Sequence, residues 1–311
     1  MIVSNKVSKN LSKKGYKIKS IKKVKSGVYY LETNKDWLVL KTNIKRHHWL
    51  FEFLFRARDI SFKNECIMYK NFNSIETQNF DVPELIATDY NSFLVVKYIY
   101  GKEGYHNTKI DSKKMAKALV EFQKSKIPIK PNKKIKIFQK LLIKNYLWIL
   151  KFIKYKELVI IPKIIILKLK LKLWNINSPK NNKNIISNND VGNIIKKDDG
   201  SIVFYDLETL TVEREITFKD IARLSVLYKN NDTIIDSSII IEYLRELKRK
   251  DIIFDYQKKM RKRLLNQFIS TYLSLKRKKR NIKGARKTLN EIILNDKAWK
   301  EWYENEIERH I

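Results

Sequence analysis

Apolar and polar positions from Ile18 to Lys41 follow a strand-like pattern broken at Lys25-Ser26-Gly27 and again at Asn34-Lys35-Asp36. Turn residues between such runs mark hairpins, so three antiparallel strands are expected: Ile18 to Val24, Val28 to Thr33 and Trp37 to Lys41. Trp49 to Asn73 is helical in composition, with an interruption near Asp59-Ile60-Ser61. Ser61 is placed to cap a second helix running through Phe62, Cys66, Ile67 and Tyr69. The run from Phe93 to Tyr100 is the pattern of a buried strand leaving into a loop at Gly101. Met115, Ala118, Leu119 and Phe122 then recur at helical spacing and predict a helix from Lys113 to Lys124.

Lys134 to Trp174 has an unusual pattern. Lys136, Lys140, Lys144, Lys151 and Lys154 recur along one helical face, while Phe138, Leu142, Tyr146, Trp148 and Ile153 cover the rest. A wide apolar surface with a lysine stripe suits a helix lying on an anionic membrane surface, and equally a core helix whose lysines snorkel. Pro162 is expected to end or kink it, and Leu167 to Leu173 alternates with period two, leaving its secondary structure open.

Composition narrows the classes. A chain of 311 residues with 43% hydrophobic content can bury a sizeable core, and 7 glycines with 5 prolines leave little material for flexible linkers. Lysine and arginine total 66 against 33 acidic residues, a formal charge of +33, which attracts polyanions: nucleic acid, anionic lipid headgroups or a phosphorylated glycolipid. The single cysteine, Cys66, excludes an intramolecular disulfide and a multi-thiolate metal site, and fits a reducing compartment. Met1 to Ser20 is polar and basic, unlike a signal peptide, and lysines interrupt the best apolar stretch, so a cytoplasmic or membrane-peripheral protein is expected.

Candidate chemistry centres on 186–208. Asp190, Asn193 and Asp206 surround a predicted hairpin: a strand from Gly192 to Lys196, a turn at Lys197-Asp198-Asp199-Gly200, and a return strand from Ser201 to Tyr205. Such a hairpin brings its two ends together, so Asn193 and Asp206 would face one ion. Mg²⁺ needs only one or two protein oxygen groups when phosphates complete its shell. Asn-Asn-Asp and Asp-Asp-Gly alone are ordinary turns, and the thirteen-residue step from Asn193 to Asp206 is what distinguishes them here.

This layout resembles the catalytic segment of the protein-kinase-like phosphotransferases: H-x-D-x-x-x-x-N, two strands, then a metal-ligating Asp. The standard interval before Asn193 falls on Asn188, which cannot accept a proton, and the nearest carboxylate is Asp190. Two readings stay open. Either the loop is two residues shorter, with Asp190 the base and Asn188 bracing the loop in place of the usual His, or the base and the activity are lost. The resemblance implies an α+β, two-lobed protein kinase-like fold, with a small antiparallel-sheet N-lobe over 1–97 and a mainly helical C-lobe over 98–311. It further implies ATP and Mg²⁺ as cofactors. Ser26 and Gly27 would cover the phosphates, Lys41 would hold them, Glu65 would pair with Lys41, and Val96 and Tyr98 would meet the adenine edge from a hinge. Asn193 and Asp206 would be the metal ligands, and Glu208 would assist the ion or anchor the following loop.

Trp49 to Arg58, Thr211 to Leu224 and Arg261 to Leu273 are similar to segments of the bacterial lipopolysaccharide core kinases of the Kdo and heptose type. The resemblance spans about Lys22 to Leu273, and only the Asp/Asn/Asp constellation is specific. It implies phosphorylation of a hydroxyl on an anionic glycolipid or sugar, with ATP as a further partner; an anionic membrane surface is the partner that the Lys134 to Trp174 pattern suits. The alternatives are a catalytically inactive nucleotide-binding scaffold and a small-molecule kinase of the aminoglycoside or choline type. The acidic acceptor clefts of the latter sit poorly with a charge of +33. Nucleic-acid binding rests on charge alone, without a reader motif.

Overall fold

The computed structural model describes residues 5–43, 62–105, 108, 110–125, 143–173, 185–188, 193–207, 210–213, 218–229, 232–247 and 253–311. The chain begins with α1 (Asn5–Ser12), β1 (Ile18–Lys25), β2 (Val28–Thr33), β3 (Trp37–Thr42) and α2 (62–72). Next come β4 (Leu85–Thr88), β5 (Phe93–Lys97), β6 (Lys102–Glu103), α3 (Ser112–Lys124), α4 (Ile143–Lys154) and α5 (Ile160–Leu173). Five short strands follow, with one helix among them: β7 (Ile185–Asn188), β8 (Ile194–Lys196), β9 (Ile202–Phe204), β10 (Leu210–Glu213), α6 (Lys219–Ser225) and β11 (Val226–Lys229). The chain ends with β12 (Asp232–Ile235), α7 (Ser237–Leu247), α8 (Ile253–Arg277), α9 (Lys283–Thr288) and α10 (Asp296–Glu306). The described residues sort into two compact units. One lies within Met1–Thr108, Ser125–Lys134 and Asn193–Thr211, the other within Lys109–Lys124, Ile135–Gly192 and Val212–Ile311.

The first unit is built on an antiparallel sheet in the order β1-β2-β3-β5-β4. Its edge strand β1 is exposed almost throughout and carries Lys19, Lys22, Lys23 and Lys25, which discourage pairing with another sheet edge. Strand alternation turns Leu38 and Leu40 of β3 into a core with Leu31, Ile86 and Val95, closed by Val7 and Leu11 of α1. By the same alternation Lys41 projects from the opposite face. Asp89 fixes the turn between β4 and β5, where its Oδ1 accepts from the amides of Ser92 at 2.7 Å and Phe93 at 3.0 Å. Its Oδ2 accepts from Lys6 of α1 at 2.8 Å.

A second sheet of this unit, β6-β8-β9, contains the hairpin the sequence predicts, with β8 running from Ile194 to the predicted end at Lys196, β9 one residue shorter at each end, and the turn at Lys197–Gly200. Gly101 permits the approach of β6 to that hairpin. Its φ is +152°, and a Cβ there would stand 2.4 Å from the Lys196 carbonyl oxygen.

In the second unit, α3 packs on α7 around a buried polar triad. Gln123 donates to Asp220 Oδ2 at 2.8 Å and accepts from the Tyr243 hydroxyl at 2.5 Å. Asp220 is thus a core-forming group. Arg261 is structural too: it donates to the Ile293 carbonyl at 2.9 Å and to Asp296 at 2.7 Å, holding the start of α10. Trp299 of α10 is buried.

The break in the lysine-rich segment falls earlier than expected. The chain turns between α4 and α5, where Lys156 has a φ of +59°, and Pro162 lies inside the first turn of α5. There its missing N–H has no intrahelical partner to lose, so it starts the helix instead of ending it. Lys136, Lys140, Phe138 and Leu142 lie outside the described residues, as does Ser61. Among the described residues no helix is long and apolar enough to cross a membrane.

Candidate active site

The sheet, α2 and the end of the β8–β9 hairpin converge on Lys41. Its ammonium lies 2.6 Å from Glu65 Oε1 and 2.5 Å from Asp206 Oδ1, which joins residues 24 and 165 positions away in sequence. The Glu65 side chain is 0% exposed and that of Lys41 16%, so this is an interior ion pair and not the solvated strand end that a lysine-rich chain makes plausible. Burial alone would depress the Lys41 pKa. The carboxylates, Glu65 foremost, outweigh it and hold the ammonium well above the usual lysine range.

Asp206 owes its place to three supports. First, the hairpin closes beside it: the Tyr205 amide donates to the Asn193 carbonyl at 3.1 Å, and Asn193 Nδ2 lies 3.4 Å from Asp206 Oδ2. Second, Asp81 clamps β9 through its own backbone, donating to Ile202 and accepting from Phe204, while the rings of Phe72, Phe80 and Phe204 stand edge to face from α2 to β9. Third, Asp206 has a φ of +58°, a left-handed conformation uncommon for a residue with a Cβ. Its N–H donates to the hydroxyl of Tyr69 at 3.1 Å, which holds that conformation.

Tyr69 is the member of this arrangement that sequence reasoning missed. It is buried on α2 one helical turn after Glu65, so the two side chains share a face. The Glu65–Tyr69 spacing was the available signal, but a tyrosine among apolar neighbours reads as core. Cys66, between them, is inert: burial pushes its thiol up to about 12.

The other expected residues divide. Ser26 and Gly27 form a two-residue turn, with Gly27 at φ +77°, and the Gly27 carbonyl accepts from the Thr42 amide at 2.8 Å. That bond sets the turn beside the Lys41 end of β3. Val96 is enclosed between β3 and β4, paired with Val39 and Leu85, and the Tyr98 N–H donates to the Trp37 carbonyl at 2.9 Å. The Tyr98 N–H is therefore committed to the sheet. The segment leaving β5 does line a cavity of about 520 Å³, with Tyr98 and Tyr100 facing Glu84, Lys197 and Asp198. Neither Lys41, Glu65 nor Asp206 lines it, so it is separate from the site those residues form. Asp190 and Glu208 lie outside the described residues, and of Asn188 only the backbone, at the end of β7, is described.

The donor set fits a magnesium–nucleotide group. Asp206 and the side-chain oxygen of Asn193 are the hard ligands Mg²⁺ takes, and a lysine ammonium is a phosphate-binding point charge.

No family model matches the chain, and no curated protein does. Solved structures do. The chain is similar to APH(2")-IIa in complex with gentamicin, at 17% identity and a TM-score of 0.55 over 90% of this chain and 92% of that one. The streptomycin–ATP ternary complex of APH(2")-IIa aligns at 16% identity and a TM-score of 0.53, covering 88% and 92%. Spectinomycin phosphotransferase APH(9)-Ia with ADP and spectinomycin aligns at 12% and 0.52, covering 99% and 97%. The chain therefore has the protein-kinase-like phosphotransferase fold, with a small antiparallel-sheet lobe and a mainly helical lobe.

Proposed function

We propose that this protein is an ATP-dependent kinase acting on a hydroxyl of an anionic sugar, such as one in lipopolysaccharide core or a related glycolipid. The observation that carries the reading is the Lys41 ammonium held between buried Glu65 and Asp206. Lys41 would hold nucleotide phosphates, steadied by Glu65 and covered by the Ser26–Gly27 turn. Asp206 and Asn193 would hold Mg²⁺. The segment around Val96 and Tyr98 would meet the adenine through groups other than the Tyr98 amide. Bound Mg-ATP supplies the phosphoryl group and neutralises charge on its oxygens. Asp190 would orient the acceptor hydroxyl and take its proton late, with Asn188 bracing the loop. ATP as cofactor is supported by the ATP and ADP complexes of similar fold.

The formal charge of +33 supports an anionic acceptor. A second reading, a small-molecule kinase, is favoured by the gentamicin, streptomycin and spectinomycin of the similar structures. Transfer from radiolabelled ATP to an extracted lipid fraction, with free aminoglycosides in parallel, separates the two. Label should enter lipid with wild type and vanish with Asp206→Ala and with Asp190→Asn. Label in the aminoglycoside alone selects the second reading. Nucleotide binding without any transfer selects an inactive scaffold, and full turnover by Asp206→Ala overturns the site.

A further inference from the structure

Helix α5 has two apolar faces. At about 3.6 residues per turn, Ile160, Ile164, Leu167 and Leu171 form one stripe, and all four are buried. Ile165, Ile166 and Leu169 lie on the opposite side and are exposed. Helix α4 repeats the arrangement. Phe152 turns inward and stacks on Tyr272 of α8 at 5.4 Å, while Leu150, on the other side, is 62% exposed together with Ile153. The segment joining the helices adds exposed Leu158 and Val159, the latter 78% exposed. Core packing accounts for the inner faces only, and clustered apolar side chains left in water mark an interaction surface.

Charge identifies the partner. From Ile143 to Leu173 the sequence holds a single acidic residue, Glu157. Its side chain is only 10% exposed and is neutralised by Lys276 at 2.9 Å and Arg286 at 3.7 Å. Lys151, Lys154, Lys156 and Lys163 are exposed beside the apolar positions, and the basic run that starts at Lys276 continues, exposed, to Arg280. The outward side thus combines apolar side chains with positive charge; the segment's own carboxylate is turned away, and the neighbouring carboxylate of Asp296 pairs with Lys170 at 2.9 Å. A second copy of this chain would set like charges together. An anionic bilayer offers headgroup phosphates to the lysines and an acyl boundary to the leucines and isoleucines.

We infer that the outer faces of α4 and α5, with the segment joining them, dock this protein on an anionic lipid surface. The helices lie in the headgroup layer and do not cross it. The inference deepens the reading of a lipid-borne acceptor and rests on it for its purpose. Lipid binding is measured without nucleotide or acceptor, so the two can fail separately.

The test is co-sedimentation of the full chain with vesicles of phosphatidylcholine alone and of phosphatidylcholine with phosphatidylglycerol. Wild type should bind only the anionic vesicles and release as salt rises. A variant with Leu158→Ser, Val159→Ser, Ile166→Gln and Leu169→Gln, all at exposed positions, should unfold as cooperatively as wild type and partition about tenfold less or weaker still. Undiminished binding by that variant would show that net charge alone suffices and would overturn the inference. So would wild type that ignores vesicles, or a wild-type dimer that the variant turns into a monomer, which would assign the face to a second copy.

Discussion

Replacing Lys41 by Met removes a cation from between two carboxylates while keeping most of the apolar stem. Two unit charges about 4 Å apart at an effective dielectric near 20 attract by about 4 kcal/mol. Glu65 is fully buried and has no solvent to fall back on, whereas the Asp206 side chain is 23% exposed and its share is discounted accordingly. Relief of the lysine's own burial offsets part of the loss. Lys41→Met should then cost about 3 kcal/mol, the usual scale for stranding one partner of a buried pair. Glu65→Gln leaves Lys41 paired with Asp206 and should cost about 2 kcal/mol. The double variant leaves only the partly exposed Asp206 without its cation and should cost clearly less than the sum, with a coupling of about 2 kcal/mol. Urea unfolding of the four proteins, followed by circular dichroism, gives the cycle. Additive costs, or single variants each within about 0.5 kcal/mol of wild type, would refute the buried pair.

Because the Lys41 pKa is raised in the folded state, its stabilisation is complete below the unfolded lysine value of about 10.4 and is lost only as pH rises through the higher folded value. Wild type and Lys41→Met should therefore keep a constant separation in urea midpoint between about pH 6 and 9. Asp89 behaves in the opposite sense. Burial opposes its ionisation, but Lys6 and Ser92 prevail and lower its pKa, so its contribution is complete above about pH 4 and is lost as pH falls through the folded value. Acid unfolding should be shallower in Asp89→Asn than in wild type. Tyr69→Phe deprives the Asp206 amide of its acceptor and should cost about 1 kcal/mol. On the proposed function it should also raise the Mg²⁺ needed for half-maximal turnover. Gly101→Ala forces a Cβ against the Lys196 carbonyl and should cost about 2 kcal/mol or more, read as a lowered melting temperature.

What could be read from residues alone follows how local each signal is. The three strands and the Lys197–Gly200 turn were legible because alternation and turn chemistry act within a few residues. The Lys41–Glu65 pair was reached through resemblance, since nothing within its 24-residue separation dictates it. The Tyr69 contact was hidden, because its partner is a backbone amide 137 residues away and carries no side-chain signature. The stretch in α5 from Leu167 to Leu173 stays undecided in the sequence for another reason. Leucines alternating with lysines put apolar groups on opposite sides of one helix, which erases the helical period that a single buried stripe would leave. Pro162 reads from sequence as an end or a kink because its position inside the first turn depends on where the preceding helix stops.

Helix α2 reaches two separate strands of the chain within a single turn, one through Glu65 and a side chain, the other through Tyr69 and a main-chain amide. Rolling that rod about its axis by one residue would carry both grips away together. The placements of Lys41 and Asp206 are consequently coupled through one turn of a single helix.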